Sequence, residues 1–270
     1  MLASHPDLAW FSNYAERFPN WPQIALASRL LEPWCHGGRR KGSARLFPTP
    51  NEAVAIPRAV TEGWFSLPRR LDTGEIPDHL VRRYRTYAES TLSWQGKKRL
   101  LHKHTGFARV GFLSAVDPTG FFLHIVRDGR AVVDSLLRVA WWKGTMDSWW
   151  WGDMPPAYED AYRSSDKDPA VLGAIVWLHL TDLIEEELAS VPADRKKTLR
   201  YDSFIQAPEQ TLQDISRFAD LEDHPDFARR LGRFRIRNGD DGWQQRLSEE
   251  QVRAVNGLLG NRLSEYGFQV

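Results

Sequence analysis

Arg127 closes an apolar run, FFLHIV from Phe121 to Val126, and is followed at once by Asp-Gly-Arg and a helix-like segment that carries Ser135. The run is rich in β-forming residues and has no polar alternation, which predicts a buried parallel strand. A basic residue where such a strand ends, with a helix N-terminus behind it, is how α/β proteins hold phosphate-type anions. Arg127 can pair bidentately with a phosphate, and the Ser135 hydroxyl can add a donor. The same residues also fit a salt bridge between Arg127 and Asp128 beside an ordinary helix serine. A second basic set follows late in the chain, where five arginines lie between Arg229 and Arg237 and lead into Asn238-Gly239. Glycine there lets backbone N–H groups approach an anion closely. A solvated basic helix end has the same composition.

Composition bounds the elements that must position these groups. The chain has 270 residues, 42% hydrophobic and 26% charged, enough for one sizeable core. Lys+Arg 36 against Asp+Glu 35 leaves a net charge of +1, without the basic excess of a nucleic-acid binder. A single cysteine, Cys35, excludes an internal disulfide framework and fits a reducing compartment. No apolar run approaches the ~20 residues of a membrane span, and MLASHPDLAW lacks the regions of a signal peptide. A soluble, cytoplasmic protein is expected. No His/Cys spacing suggests a metal site.

Along the chain, strands are predicted at Leu8 to Phe11, Arg99 to His104, Phe121 to Val126 and Lys197 to Arg200. Residues 20–76 read as irregular, with many prolines and the basic cluster Arg39, Arg40 and Lys41. Helices are predicted at Pro77 to Trp94, with Leu80, Tyr84 and Tyr87 on one face, at Phe107 to Val116, and at Ala131 to Ala140. Others follow at Pro169 to Ser190 and Pro208 to Leu221, and the last opens at Ser248 with a capping box to Gln251. Five of the twelve tryptophans lie between Trp141 and Trp151, in a segment (141–167) without clear period that reads as an ordered loop or lid. Strands alternating with helices predict one α/β domain over residues 1–270, three layers deep, with a central parallel sheet.

The stretch from Phe121 to Arg138 resembles the 3′-phosphate-binding segment of sulfotransferases, which use 3′-phosphoadenosine 5′-phosphosulfate (PAPS). The family usually has proline where this chain has Gly129. TLRYDSFIQAPEQTLQDISRFADL, Thr198 to Leu221, resembles the family's strand ending in Arg-Tyr-Glu-Asp-Leu, and Tyr201 matches the tyrosine expected near the adenine. Arg237, Asn238 and Gly239 match its later Arg-Lys-Gly loop, with asparagine for lysine. LHKHTGFARVGFLSAVDP, Leu101 to Pro118, is similar to the third strand and its Lys-Thr-Pro, with Gly106 for proline. In relatives this region faces the sulfuryl group. The resemblance therefore implies Lys103 beside the bridging oxygen, with His104 or His102 as general base. Glu16, in SNYAERFP, is the carboxylate candidate for the same role; it also suits a surface pair with Arg17.

The resemblance implies a P-loop-like sulfotransferase fold and in-line sulfuryl transfer from PAPS to a hydroxyl or amine of a small-molecule, carbohydrate or lipid acceptor. The tryptophan-rich segment is expected on the acceptor side, or as a plug over the core. The family's opening strand, Gly/Ser/Thr-rich phosphosulfate loop and helix have no counterpart here. MLASHPDL resembles the end of the helix after that loop, so a truncated fragment or a start codon called too late is expected, with a central strand lost. The same gap supports an alternative, a non-catalytic 3′-phosphoadenosine-nucleotide-binding protein. A nucleotide or sugar kinase is a third reading, weakened by the lack of a Gly-x-x-x-x-Gly-Lys-Ser/Thr run.

Overall fold

Two parallel strand pairs organise the molecule. The computed structural model describes residues 1–32, 47–71, 74–234, 236 and 242–270. Strand β1 (Leu8–Trp10) pairs with β2 (Arg99–Leu101), and β3 (Phe122–Val126) pairs with β4 (Lys196–Arg200). The principal helices are α1 (Ala55–Val60), α2 (Asp78–Gln95), α3 (Val110–Val116), α4 (Gly129–Leu136), α5 (Pro156–Ser164), α6 (Pro169–Ala189), α7 (Pro208–Phe218), α8 (Pro225–Leu231) and α9 (Glu249–Glu265). This is the α/β class with parallel pairing that the alternation of elements predicts. The sheet is divided into two pairs, β1-β2 and β3-β4. Among the described residues no helix is long and apolar enough to cross a membrane.

The strand pairs are clothed according to their two-residue period. Phe122, His124 and Val126 face α6, where Phe122 packs with Val110 and Leu188, and Val126 joins Val133, Trp177 and Leu259. On the other face Leu123 and Leu199 pack on Leu212 and Ile215 of α7. Ile125 shares that second face yet is 56% exposed, and Phe121 to His124 are partly buried, so of the fully buried strand expected from FFLHIV only Val126 is buried. The first pair rests on α2. Leu80, Tyr84 and Tyr87 are buried along its predicted stripe, together with Thr91 and Gln95. Gln95 then acts as a surrogate strand: its amide donates to the Trp10 carbonyl at 2.7 Å and accepts from the Trp10 amide at 3.2 Å. That satisfies backbone groups of β1 that would otherwise be orphaned.

Helix α6 is buried on nearly all sides, with thirteen buried residues between Ala170 and Leu188, as its near-continuous apolar sequence requires. Asp168 caps it by accepting from the Ala170 amide at 2.7 Å, with Pro169 in the first turn. Ser248 and Gln251 form the predicted capping box of α9.

Four local expectations need correction. Residues 20–76 are not wholly irregular: α1 forms with Pro57 in its first turn, where proline's missing N–H costs nothing. Strand β2 stops at Leu101, which puts His102 to His104 on the following loop. Helix α4 ends at Leu136 rather than Ala140, so Ser135 sits in its last turn rather than mid-helix. The tryptophan-rich segment contains helix α5, and part of it is core: Trp142 and Trp151 pack with Tyr162, Val171 and Ile175.

Candidate functional site

The candidate residues follow the C-terminal ends of strands, where open α/β sheets place ligands. The pairing Val126 with Arg200 makes the next residues, Arg127 and Tyr201, neighbours. The Arg127 guanidinium lies over the Tyr201 ring, 5.7 Å from its centroid. The Arg127 backbone is held as well, since the Trp177 indole N–H donates to its carbonyl at 3.1 Å. Asp128 does not pair with its neighbour as a strand-end bridge would. It caps α4, accepting from the Arg130 amide at 2.8 Å, and binds the Arg130 guanidinium at 2.7 and 3.0 Å. Arg130 is also stacked over Trp243 at 4.4 Å. Gly129 is the first residue of α4, and a Cβ there would stand 2.5 Å from Leu259 Cδ1 and 3.0 Å from the Trp177 ring. Glycine at this position thus answers to packing. Ser135 is half-buried in the last turn of α4. Arg237, Asn238 and Gly239 lie outside the described residues.

The second set surrounds a cleft of about 250 Å³ after β2. His102, Lys103 and His104 all line it, with Glu52, Thr105 and Phe107. His102 sits deep, against Phe11, Phe65 and Tyr84, with its Nδ1 3.4 Å from the Tyr84 hydroxyl. Burial, aided by His104, pulls its pKa down to about 3, so it stays neutral near pH 7. His104 stands at the surface end, its ring edge-on to Phe65 at 5.0 Å. Its Nε2–H donates to the Phe107 carbonyl at 2.5 Å, which leaves Nδ1 as the lone-pair nitrogen. Its pKa is lowered chiefly by burial, against the opposing Phe107 bond and the nearby Glu52. A neutral imidazole with one open nitrogen can accept a proton at pH 7.

Glu52 organises the mouth of this cleft. One of its oxygens pairs with Lys103 Nζ at 2.5 Å and the other accepts from the Thr105 hydroxyl at 2.7 Å. Gly106, where the family pattern has proline, adopts φ +91°, a left-handed conformation closed to proline and easy for glycine. The loop next enters α3, whose first two amides, Val110 and Gly111, donate to the Glu187 carboxylate at 2.6 and 3.2 Å. Burial raises the Glu187 pKa despite those bonds. Arg109 stitches the cleft's far wall: its guanidinium donates to the carbonyls of Phe65, Leu67, Arg69 and Ala108. Burial pulls it down to about 10.

Glu16 is placed elsewhere. Its carboxylate accepts from the Ala55 amide at 3.0 Å, capping α1, and it does not line the cleft. Glu52 and Arg109 were not legible as site residues. Glu52 lies about fifty residues before its partners, and the only hint was a lysine at Lys103 without an acid beside it. Among the described residues one carboxylate–histidine group, Asp7, Glu222 and His224, brings ligand-type atoms within 4.8 Å of one another. Lys98 Nζ lies 3.4 Å from Asp7 and also pairs with Glu222, so an ammonium already supplies the cation there.

Comparison with known proteins agrees with this architecture. A family model described as "Sulfotransferase family" matches residues 1–226. Among solved structures, sulfotransferase STF9 from Mycobacterium avium is 14% identical with a TM-score of 0.62, covering 100% of this chain and 73% of its own. The sulfotransferase domain from the curacin biosynthetic pathway is 13% identical with a TM-score of 0.49, covering 100% and 92%. No curated protein matches the chain by sequence. With the family match spanning most of its length and the fold shared with a solved sulfotransferase, this chain belongs to the sulfotransferase family and is an enzyme of that kind.

Proposed function

We propose that the protein transfers a sulfuryl group from PAPS to the hydroxyl or amine of a small-molecule, carbohydrate or lipid acceptor by in-line displacement. The observation that carries this reading is the His104 ring, neutral and open at Nδ1, on a cleft it shares with Lys103. PAPS supplies the activated sulfuryl group. Arg127 and Ser135 would hold the 3′-phosphate and Tyr201 the adenine side. Arg237, Asn238 and Gly239 would close over the phosphate. An arginine stacked on a tyrosine suits a nucleotide that offers both an anion and a flat base.

In the transfer, the acceptor oxygen forms the new bond to sulfur and the bond from sulfur to the 5′-phosphate oxygen breaks. The acceptor's proton passes to His104 Nδ1. Lys103 stabilises the charge that develops on the departing oxygen. As in phosphoryl transfer, positioning and charge stabilisation do most of the work. A general base typically contributes ~10²–10⁴-fold. Glu16 would take that role only by giving up its cap on α1. The single cysteine fits a cytoplasmic setting.

Thermal-shift titration with 3′-phosphoadenosine 5′-phosphate, with ADP as control, tests the nucleotide half. Selective stabilisation that Arg127→Ala abolishes is expected. Equal response to both ligands, or none, removes the reading. Loss of transfer in His104→Ala with unchanged nucleotide binding tests the other half. Selective nucleotide binding without any transfer would instead favour the non-catalytic alternative.

A further inference from the structure

The cleft beside His104 is polar at one end and apolar elsewhere. Glu52, Lys103, His104 and Thr105 gather at the polar end. The remaining wall includes Val54, Pro57, Phe65, Leu67, Phe107 and Trp150. Ionic groups that line it are already matched. Lys103 is paired with Glu52, and the buried Arg109 guanidinium faces four carbonyls with Glu187 nearby. A carboxylate or phosphate on the acceptor would meet a carboxylate at the mouth and apolar side chains beyond it. A sugar would bring several hydroxyls into that apolar wall, each costing free energy if left without a partner.

Trp150 extends the wall outward. It is 52% exposed, with its ring 5.2 Å from the equally exposed Trp141. Its outward position is built into the loop. On one side the Trp149 indole N–H donates to the Gly152 carbonyl at 2.6 Å. On the other, Trp151 is buried and its carbonyl accepts from His179 at 2.8 Å. Two large aromatic faces held in water beside a cleft mark a ligand surface. A volume of about 250 Å³ is just under the ~300–1,000 Å³ of drug-sized ligand sites, so the occupant is small.

We propose that this cleft takes an uncharged, largely apolar hydroxyl compound of one or two rings, docked on Trp150 with its oxygen toward His104. The proposal rests on the sulfuryl-transfer reading and narrows its acceptor to one class.

The test uses the full chain and three probes without nucleotide: 2-naphthol, 4-hydroxybenzoate and glucose. Binding is measured by calorimetry, and transfer from labelled PAPS is measured separately. 2-Naphthol is expected to bind at least tenfold more tightly than the other two. Trp150→Ala should weaken it roughly tenfold, the cost of a lost aromatic anchor. Trp150→Phe should recover most of that affinity, and Trp94→Ala, an exposed tryptophan outside the cleft lining, should change nothing. Glucose or 4-hydroxybenzoate binding as tightly as 2-naphthol would overturn the proposal, as would unaltered affinity in Trp150→Ala. If 2-naphthol binds through Trp150 but is never sulfated and 3′-phosphoadenosine 5′-phosphate does not stabilise the protein, the cleft assignment stands and the transfer reading falls.

Discussion

Replacing Gly129 with alanine should destabilise the protein, although the same change in an open helix stabilises. The added Cβ would stand 2.5 Å from Leu259 Cδ1 and 3.0 and 3.2 Å from two atoms of the Trp177 ring. Carbon atoms rest at about 3.5–4.0 Å, so the overlaps are about 1 Å and 0.5 Å. Leu259 is fully buried and Trp177 nearly so, which leaves little room to yield. Trp177 is also tied to the Arg127 carbonyl. Overpacking of this kind costs roughly 1–3 kcal/mol. Exchanging glycine for alanine returns at most about 1 kcal/mol, and less at the first helical position. A net loss of about 1–2 kcal/mol is expected, read as a lower midpoint at unchanged slope in urea unfolding. Gly257→Ala is the internal control. It lies in α9 with nothing within 4 Å of its would-be Cβ, and should gain about 0.5–1 kcal/mol. If both variants shift stability in the same direction, the packing account of Gly129 is wrong. Because Trp177 steers Arg127, Gly129→Ala should also blunt stabilisation by 3′-phosphoadenosine 5′-phosphate.

Three further outcomes follow from the cleft and its supports. His102 has a folded pKa of about 3 against 6.5 when unfolded, so below pH 6.5 the unfolded chain binds the extra proton and stability falls with pH until about 3. The slope is up to about 1.4 kcal/mol per unit, and His102→Asn should flatten that part of a urea-derived stability profile between pH 7 and 5. Glu187→Ala removes the acceptor of two α3 amides and should cost about 1–3 kcal/mol, with Glu187→Gln recovering part of it; equal stability of all three proteins would deny the cap. Glu52→Gln weakens the hold on Lys103 and should lower kcat while nucleotide affinity stays constant, so an unchanged kcat would remove Glu52 from the positioning of Lys103.

Local signals wrote most of the skeleton into the sequence. The α2 stripe, the end of α3 at Val116 and the capping box at Ser248 depend on neighbours within a turn or two, and each forms where expected. A parallel sheet was legible from strands alternating with helices, but not which strands pair: β4 has only Leu199 as an apolar residue, and its pairing with β3 sets Arg127 beside Tyr201. What escaped depends on distant partners. Helix α1 was hidden by Pro57, and its cap comes from Glu16, thirty-nine residues earlier. The tryptophan segment looked like either lid or plug because its tryptophans divide: Trp142 and Trp151 turn inward while Trp141 and Trp150 turn outward. Glu52 meets Lys103 and Thr105 only once α1 and β2 are folded onto α2, and no periodicity announces such a meeting.

Helix α6 explains how two sites on two separate strand pairs keep a fixed relation. Trp177 holds the Arg127 carbonyl at the end of β3, and Glu187 holds the first amides of α3 just beyond the His104 loop. Ten residues separate them, about 15 Å along the helix axis. Between them His179 donates to the Trp151 carbonyl and so fixes the outward turn of Trp150. All three ties end on backbone atoms, so each positions a loop rather than a single side chain. The helix that carries these ties is buried most completely in its N-terminal half, from Ala170 to His179. The apolar sequence from Ala170 to Leu178 suits that burial. A defect at one tie should loosen its own loop and spare the other. A cavity in the buried N-terminal half of α6, such as that left by Ile175→Ala, should disturb nucleotide and acceptor binding together, because α6 carries ties to both.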